Sequence, residues 1–324
     1  HPEKGRRMNV ILIYVDAVSR RGFFRLMPET MKLLESIQQD PSQNAEVFQF
    51  FRYQAVAPNT PNNSRGLLMG DTHINLEKEV LWDVAKRNGY ATMVTDNTCR
   101  EWSMQYLRKP MPADHNLNTP YCLEEYSGEH NVPGEIHRGP SSVFRRCLHN
   151  MEVHQIGFTY GKLFLNAYSN ASVGWNVPRF EFLKFSEGHE VTSAVPRLMD
   201  HDTAEFIHSL DLDNTLVALF SDHGLHMGIR MAFQSGETEN KLPGMWMILP
   251  KWWLNAHPGR REALIHNEQA LFTGVSFYHA IVQVLSDEPS SSSSGDDEQS
   301  LFISIPYNVT CKTMGVPSKA CQCK

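Results

Sequence analysis

The sequence predicts an α/β fold with a mostly parallel central sheet and helices on both faces. Two observations lead to this prediction. Apolar segments of strand length alternate along the chain with amphipathic segments of helical period, which is the order of βα units. The first apolar segment, "MNVILIYV" at 8–15, shows no polar alternation, as expected of a strand that is buried on both sides.

The remaining elements follow from the same patterns. Further strands are predicted at 48–56, 91–96, 179–185, 214–220 and 245–250. Helices are predicted at 28–38, 60–70, 74–90 and 194–211, and the segment 261–285 is predicted to contain a long helix. Residues 110–140 are rich in Pro, Asn, Gly and His, which predicts a long irregular loop.

The chain divides into one large domain and a short tail. Residues 1–285 contain all the predicted strands and are expected to form one large α/β domain. Residues 286–299 are serine-rich and acidic, which predicts a flexible linker. Residues 300–324 carry three cysteines and are expected to pack on the domain.

Composition excludes some classes of function. The 324 residues are 41% hydrophobic and 20% charged, with a formal net charge of −6 and no long basic run, which argues against a nucleic-acid partner. No apolar run approaches the ~20 residues of a membrane span. Because the chain opens "HPEKGRRMNV", without Met or a signal peptide, we expect a mature or trimmed fragment. Any membrane anchor would then precede this sequence.

Cysteines and sequons indicate an extracellular or lumenal protein. An even number of cysteines is typical of disulfides in an oxidising compartment, and the absence of a CxxC pair disfavours a zinc site. The cysteines are Cys99, Cys122, Cys147, Cys311, Cys321 and Cys323. The glycosylation sequons begin at Asn62, Asn170 and Asn308. Since Cys321 and Cys323 are too close to pair with each other, we expect Cys311 to pair with one of them and the other to reach the domain.

The segment "TPNNSRGLLMG" at 60–70 allows two interpretations of Thr60. Thr is a favoured N-cap, Pro61 suits the first helical position, and Gly70 suits the end of the helix. Alternatively, Thr60 is a nucleophile at a helix N-terminus, where free amides bind an anion such as phosphate and Asn63 adds a side-chain donor.

Metal-ligating residue types follow several predicted strands. In a parallel sheet such residues meet at the carboxyl edge, where ligands bind. The candidates are Asp16, Thr60, Glu187, His189, Asp222 and His223. Each alone has an ordinary interpretation as a turn, cap or surface residue. Together they predict a divalent ion, Zn²⁺ or Mn²⁺ in the first place and Ca²⁺ or Mg²⁺ as alternatives. Such an ion would lower the pKa of the Thr60 hydroxyl.

The Thr60 segment resembles the nucleophile segment of the alkaline phosphatase/sulfatase superfamily, in which a glycine follows the nucleophile ten positions later. It is most similar to the ectonucleotide pyrophosphatase/phosphodiesterase version, with Thr first and a phosphate-binding Asn fourth, which implies Thr60 and Asn63. "NVILIYVDAVSR" resembles the opening metal-binding strand and implies Asp16. "NTLVALFSDHG" resembles the closing metal motif and implies Asp222 and His223. The similarity runs from about residue 8 to 285 and implies an alkaline phosphatase-like fold.

Other segments resemble a secreted branch of this superfamily, a domain of unknown function found in animals and protists. These segments are "DAVSRRGFFRLMPET", "EGHE", "GETENKLP" and "TCKTMGVPSKACQC". The resemblance implies a lumenal or extracellular protein, often anchored by an upstream membrane segment. Glu237 stands where this branch would have Lys, which weakens the case for a cationic substrate clamp there.

Two departures bear on the chemistry. Sulfatases need Cys or Ser as nucleophile, so Thr60 disfavours sulfate-ester hydrolysis. Two-metal phosphodiesterases carry Asp four residues before a His of the second site, but Phe185 precedes His189 by four. Two alternatives follow. Either Glu187 takes the place of this Asp as a ligand, or the second metal site is absent. Candidates for its remaining His are His226, His257, His266 and His279. His226 is also a candidate for substrate binding.

These inferences predict a metal-dependent phosphoric ester hydrolase, a phosphodiesterase or phosphatase, that acts through Thr60 on a small phosphate ester or a phosphorylated glycan or lipid. One alternative is a phospho-alcohol transferase acting on glycans or lipids. Another is an inactive glycan- or protein-binding module on the same fold.

Overall fold

The computed structural model describes residues 6–98, 106–110, 112–118, 146–169, 177–286 and 300–322. Within these ranges a seven-stranded sheet has the order β2-β9-β8-β1-β7-β3-β4. Its strands are β1 (Asn9–Val15), β2 (Ala45–Gln49), β3 (Ala91–Asp96), β4 (His115–Asn118), β7 (Arg179–Phe185), β8 (Thr215–Phe220) and β9 (Met245–Pro250). A separate antiparallel pair consists of β5 (Cys147–Leu148) and β6 (Met151–Glu152).

The large sheet is mostly parallel, as predicted. Strand β1 pairs in parallel with both β7 and β8, and β3 pairs in parallel with both β7 and β4. Strand β9 is antiparallel to both of its neighbours, β8 and β2. The carboxyl ends of the central strands β8, β1, β7 and β3 therefore lie at one edge of the sheet.

The described ranges also contain ten α-helices. They are α1 (Arg20–Leu26), α2 (Pro28–Gln39), α3 (Thr60–Met69), α4 (Leu81–Arg87), α5 (Val153–Ala167), α6 (Asp200–His208), α7 (Gln234–Lys241), α8 (Lys251–Ala256), α9 (Pro258–Asn267) and α10 (Gly274–Ser286). Short 3₁₀ helices lie at Val195–Met199 and Ile229–Ala232. No helix in the described ranges combines the length and hydropathy needed to cross a membrane.

The helices cover both faces of the sheet, as predicted. Successive side chains of β1 point to opposite faces, so Val10, Leu12 and Tyr14 enter one core while Ile11, Ile13 and Val15 enter the other. The first core contains side chains of α3, α4 and α10. The second contains side chains of α1, α2, α5 and α6. Strand β1 is thus fixed from both sides, which makes its carboxyl end a rigid support.

Several predicted boundaries are wrong. The strand predicted at 48–56 is instead β2 at Ala45–Gln49, followed by an irregular segment that leads to Thr60. The aromatic residues in this segment are buried because Phe50 and Tyr53 pack against Phe272, with ring centroids 5.2 and 5.4 Å apart, and not because they join a ladder.

Some predicted helices also differ from the structure in their bounds. The helix predicted at 74–90 is limited to Leu81–Arg87. The segment 261–285, which was predicted to contain a long helix, contains the end of α9 and nearly all of the 13-residue α10. Helix α1 was not predicted, since its sequence, "RRGFFRL", has little amphipathic period.

The tail packs on the sheet domain. Leu301, Phe302 and Ile305 are buried in the core that contains α3, α4 and α10. A disulfide joins Cys311 and Cys321, as predicted for one of the two closely spaced cysteines. Residues 287–299 lie outside the described residues, and the domain boundaries stay a prediction.

Three of the other cysteines, Cys99, Cys122 and Cys323, also lie outside the described residues. Cys147 is exposed and forms no disulfide with a described residue, so its pairing stays a prediction.

Candidate metal and catalytic centre

Three predicted ligands meet at the carboxyl edge of the sheet. Asp16 directly follows β1, and Asp222 and His223 follow the neighbouring strand β8. One ligand atom from each of the three lies within 4.8 Å of the others. All three side chains are buried, because their strands are central and their loops are covered. We call Asp16, Thr60, Asp222 and His223 the carboxylate half of the site.

Thr60 joins this cluster and does not cap its helix. The helix begins at Thr60, and Asn59 occupies the N-cap position with extended backbone (φ −142°, ψ 169°), so the N-cap interpretation of Thr60 is wrong. The Thr60 hydroxyl lies 3.2 Å from Nε2 of His223 and makes no capping bond. Gly70 ends the helix in the left-handed conformation (φ 66°), as predicted.

Backbone contacts fix the orientation of the His223 ring. Its Nδ1 lies 2.6 Å from the carbonyl oxygen of Gly224, which only accepts hydrogen bonds, so Nδ1 carries the proton. The amide of Asn240 donates to the same carbonyl at 2.9 Å. The lone pair of His223 Nε2 therefore faces Asp222 Oδ2 at 3.3 Å and Asp16 Oδ1 at 3.8 Å. Such a concentration of electron-rich atoms favours a cation.

Unsatisfied polar atoms support the same conclusion. Asp16 Oδ1, Asp222 Oδ2, His189 Nδ1 and His226 Nδ1 are buried and have no hydrogen-bond partner among the described residues. Buried polar atoms are normally paired, and these four belong to neighbouring side chains. Carboxylate, imidazole and hydroxyl ligands are those that Zn²⁺ and Mn²⁺ accept, so the residues fit the predicted divalent ion.

His189 and His226 form the second part of the site, which we call the histidine half. With His223 they make another group whose ligand atoms lie within 4.8 Å of one another. The ring centroid of His226 lies 4.8 Å from that of His189 and 5.0 Å from that of His223. The sequence alone could not choose His226 from its alternatives.

The other candidate histidines contact different parts of the fold. His257 lies against the Trp253 carbonyl, His266 against the Ile305 carbonyl, and His279 against the Tyr278 ring. Phe185, where a second-site Asp was considered, packs against Phe158 in the core with ring centroids 4.6 Å apart.

Glu187 does not reach the cluster, contrary to its predicted role as a metal ligand. Both of its carboxylate oxygens accept hydrogen bonds from the side-chain amide of Asn97, at 3.1 and 2.9 Å. The guanidinium of Arg146 lies 3.6 Å from Glu187 Oε1. These contacts occupy the carboxylate on the side of β3 and β5, so Glu187 belongs to neither group of ligand atoms.

Asn63 is committed to the backbone ahead of Thr60, which corrects its predicted role as a phosphate donor. Its Oδ1 accepts from the amides of Val56 (2.8 Å) and Ala57 (3.2 Å). Its Nδ2 donates to the carbonyls of Ala57 (2.8 Å) and Asn59 (2.9 Å). Since both donor hydrogens are used, Asn63 shapes the loop that presents Thr60 and has no donor left for a ligand.

Lys184 is a charged residue beside the site that was not among the predicted site residues. This fully buried lysine of β7 places Nζ 3.4 Å from Asp16 Oδ2 and 3.7 Å from Asp96 Oδ1. Burial alone would raise the pKa of Asp16, but the charge and hydrogen bond of Lys184, together with the charges of His189 and His223, outweigh burial and lower the pKa. The available signal was a lysine set between Leu183 and Phe185 in a strand with aromatic residues, "RFEFLKF".

The pKa values of the other ligands, although shifted, still leave them in their metal-binding forms near pH 7. Burial raises the pKa of Asp222 to about 6, with a further contribution from the charge of Asp16. Burial lowers the pKa of His226 to about 4, and it also lowers that of His189. Near pH 7 the carboxylate is therefore charged and both imidazoles are neutral.

The predicted glycosylation sites differ in exposure. Asn308 is exposed, whereas Asn62 is half-buried and its amide donates to the Thr72 carbonyl at 3.0 Å. Asn170 lies outside the described residues.

Solved structures with a similar fold belong to the alkaline phosphatase superfamily, which confirms the predicted fold. The periplasmic domain of EptC from Escherichia coli is 12% identical, with a TM-score of 0.59 over 95% of this chain and 89% of that chain. The lipooligosaccharide phosphoethanolamine transferase A of Neisseria meningitidis is 14% identical, with a TM-score of 0.60 over 94% of this chain and 60% of that chain.

A third similar structure is described as a protein in the alkaline phosphatase superfamily from Vibrio parahaemolyticus. It is 13% identical, with a TM-score of 0.50 over 77% of this chain and 62% of that chain. No curated protein sequence matches. A family model described as "Protein of unknown function (DUF229)" matches residues 1–324, and the chain therefore belongs to this family, the branch that its motifs resemble.

Proposed function

We propose that this protein is a metal-dependent phosphoryl-transfer enzyme that hydrolyses a phosphate ester through Thr60. The observation that carries the proposal is the position of the Thr60 hydroxyl, 3.2 Å from His223 Nε2 and beside two buried carboxylates. A capping threonine would bond to its own helix, and this one does not.

The chain's own groups account for binding and attack. Asp16, Asp222, His223 and the Thr60 oxygen would hold the ion. When bound, a divalent ion supplies a lowered hydroxyl pKa and charge neutralisation of the phosphoryl oxygens. The first amides of α3 would face the phosphate oxygens of a bound ester, as helix N-termini do.

The reaction has two displacement steps. The Thr60 hydroxyl loses its proton to solvent, its oxygen bonds to phosphorus, and the bond to the ester oxygen breaks with release of the alcohol. Water then attacks phosphorus, the bond between phosphorus and the Thr60 oxygen breaks, and phosphate or a monoester leaves. His189 and His226 lie where a second ion or the leaving group would be held.

The test separates the nucleophile from a helix-stabilising residue. Thr60→Ser should keep much of the activity, while Thr60→Ala should lower turnover by several orders of magnitude with little change in melting temperature. Phosphodiester and phosphomonoester substrates should be tried with Zn²⁺ and Mn²⁺, and intact-mass measurement should detect a phosphothreonine adduct.

The matched control is Ser19→Ala, because Ser19 is a true N-cap whose oxygen accepts from the Gly22 amide at 2.9 Å. Its loss should cost about 1 kcal/mol of stability. A Thr60→Ala enzyme with wild-type turnover and bound metal would contradict the proposal.

A transferase is the second candidate. It is favoured by the fold similarity to proteins whose names describe phosphoethanolamine transfer to lipooligosaccharide. The same phosphothreonine would then pass its phospho-alcohol group to an acceptor hydroxyl and not to water. Free phosphate or monoester as the product supports the hydrolase, and a modified glycan or lipid supports the transferase. A protein that binds glycan, with neither metal nor adduct, would support the inactive module.

We also propose an extracellular or lumenal location. The Cys311–Cys321 disulfide and the exposed Asn308 sequon support it. Denatured protein made through a secretory pathway should show fewer than three free thiols and should carry glycan on Asn308.

A further inference from the structure

One turn carries a ligand of the histidine half. Residues 186–189 leave the end of β7, and the His189 amide donates to the Ser186 carbonyl at 3.0 Å, which closes the turn. Its middle residue, Gly188, presses on the carboxylate half, since a Cβ there would lie 2.2 Å from the Asp16 carbonyl oxygen. The position of this turn therefore sets His189 and constrains the backbone of Asp16.

Asn97, which follows β3, holds the turn at two successive residues. Its Oδ1 accepts from both the amide and the hydroxyl of Ser186, each at 2.9 Å. Its Nδ2 donates to both oxygens of Glu187. A single buried side chain thus fixes the start of the turn.

Arg146 contacts the same turn through the Glu187 carboxylate. It is 4% exposed, and its guanidinium lies 3.6 Å from the fully buried Glu187 carboxylate. Its Nε donates to Glu152 Oε2 at 3.1 Å, and its terminal nitrogen lies 3.2 Å from His154 Nδ1. Glu152 and His154 belong to the start of α5, so Arg146 ties this helix to the site.

The contacts of Arg146 extend through His154 to Asp202, which is partly exposed. His154 Nε2 lies 2.7 Å from Asp202 Oδ2, and the Gln155 amide donates to the same oxygen at 3.1 Å. Asp202 belongs to the first turn of α6. The guanidinium of Arg146 is therefore fixed by Glu152 and His154, and His154 is fixed in turn by Asp202. This network makes Arg146 a rigid support for the turn.

We infer that Arg146, Asn97 and Glu187 are positioning residues that hold the turn at 186–189 and so place His189 for the reaction. The inference rests on the proposed function for its activity measurements. A purely structural role would lower stability through an uncompensated buried carboxylate, whatever residue stood at 189. A positioning role acts through His189 and disappears when that side chain is absent.

A double-mutant cycle between Arg146→Met and His189→Ala distinguishes these roles. We expect Arg146→Met to lower kcat/KM at least about tenfold in the wild-type background. In the His189→Ala background the same substitution should change kcat/KM by less than about twofold. Arg146→Lys should recover part of the loss. Additive losses in the cycle would overturn the inference.

Asn97→Ala is the second variant, for the case in which Arg146→Met does not fold. It removes bonds to Ser186 and Glu187 without removing the Arg146 charge, and its effect should likewise vanish with His189→Ala. Arg261→Met is the matched control, because it breaks another arginine–glutamate pair, with Glu46 at 2.8 Å, away from the site. It should leave kcat/KM unchanged.

The failure of the inference and that of the proposed function are distinguishable. If wild-type protein turns over no phosphate ester, the proposed function fails, and the cycle is measured by titration of Zn²⁺ binding. Arg146→Met should then weaken Zn²⁺ binding only when His189 is present. Equal weakening in both backgrounds would overturn the inference independently of activity.

Discussion

The carboxylate and histidine halves of the site are built on different supports. Asp16 and Asp222 follow adjacent paired strands, and Thr60 is the first residue of a helix, so regular structure fixes the carboxylate half. His189 sits on a turn that the side chain of Asn97 holds, and His226 lies on an irregular loop. The first half therefore resists local change more than the second.

The two halves also differ in charge. Two buried carboxylates make the carboxylate half anionic, with Lys184 as a fixed counter-charge. The histidine half offers neutral imidazoles whose pKa values are lowered by burial. We therefore expect the carboxylate half to hold the ion and the histidine half to adjust the site for its substrate.

The largest effect is expected from Asp222→Asn, which keeps the shape and removes the charge. Loss of the ion should remove several kcal/mol of transition-state stabilisation, or about 1,000-fold in rate. Bound metal, measured by elemental analysis, should fall with the activity. Asp213→Asn, an exposed aspartate, is the control and should change neither. Full metal content in the Asp222 variant would remove the distinction between the halves.

A smaller effect is expected from His189→Ala and His226→Ala. Each removes a neutral group, so we expect a loss of about 10- to 100-fold in kcat/KM with one ion retained. His201→Ala, at an exposed histidine paired with Glu29, is the control. Loss of all metal in either variant would show that the halves form one indivisible centre.

As the pH is lowered, the carboxylate half should be protonated before His226 of the histidine half. The pKa of Asp222 is raised to about 6, so protons compete with metal below that pH and affinity should fall by up to about tenfold per pH unit. The pKa of His226 is lowered to about 4, so this side chain stays neutral there. Metal titrations between about pH 5 and pH 8 measure the fall. A flat profile would contradict the assignment of Asp222 as a ligand.

The stability of metal-free protein should depend less on pH in that range. The raised pKa of Asp222 contributes stability at acidic pH that is lost as pH rises through about 6. The lowered pKa of His226 contributes stability above its unfolded pKa that is lost as pH falls through about 4. The contributions of these two groups oppose each other between these values. Chemical denaturation at several pH values tests this, and Asp222→Asn should unmask the histidine contribution.

The smallest effect on turnover is expected from replacing both Cys311 and Cys321 with Ser. The closed loop is short, with a sequence separation of 10, so the disulfide should stabilise by about 2–3 kcal/mol. Turnover should fall a few-fold, because the tail supports the loop before Thr60. Cys147→Ser, at an exposed cysteine, is the control. Unchanged stability in the double variant would show that the tail is held by packing alone.

The sequence predicted the carboxylate half better than the histidine half for a physical reason. Asp16, Asp222 and His223 directly follow apolar strands, and strand order alone brings such residues to one edge. Glu187 follows a strand too, yet Asn97 and Arg146 draw its carboxylate away. Asn97 and Arg146 lie 90 and 41 positions before Glu187 in the chain, so no local sequence pattern predicts these contacts. Lys184 was missed because its meaning depends on Asp16 and Asp96 across the sheet.

The strand predictions were limited in the same way, because local patterns do not report contacts between distant parts of the chain. Strand β1 was predicted closely because burial on both faces leaves a continuous apolar run. The strand at 48–56 was misplaced because alternating aromatics also suit an irregular segment packed on Phe272. Periodicity reports burial, and only pairing decides whether a buried segment is a strand.

The disulfide-closed tail has a consequence for when the protein becomes active. The Gln54 side chain, at the start of the loop that leads to Thr60, donates to the Ala320 carbonyl at 2.9 Å and accepts from the Gln322 amide at 3.2 Å. Chains emerge from the ribosome with the N-terminal part first, so residues 320–322 reach Gln54 long after Asp16 and Asp222 have been made. A nascent chain would therefore assemble its ion ligands before the loop that carries its nucleophile is fully held. Full activity would be reached only after residues 320–322 have been made and have packed against Gln54.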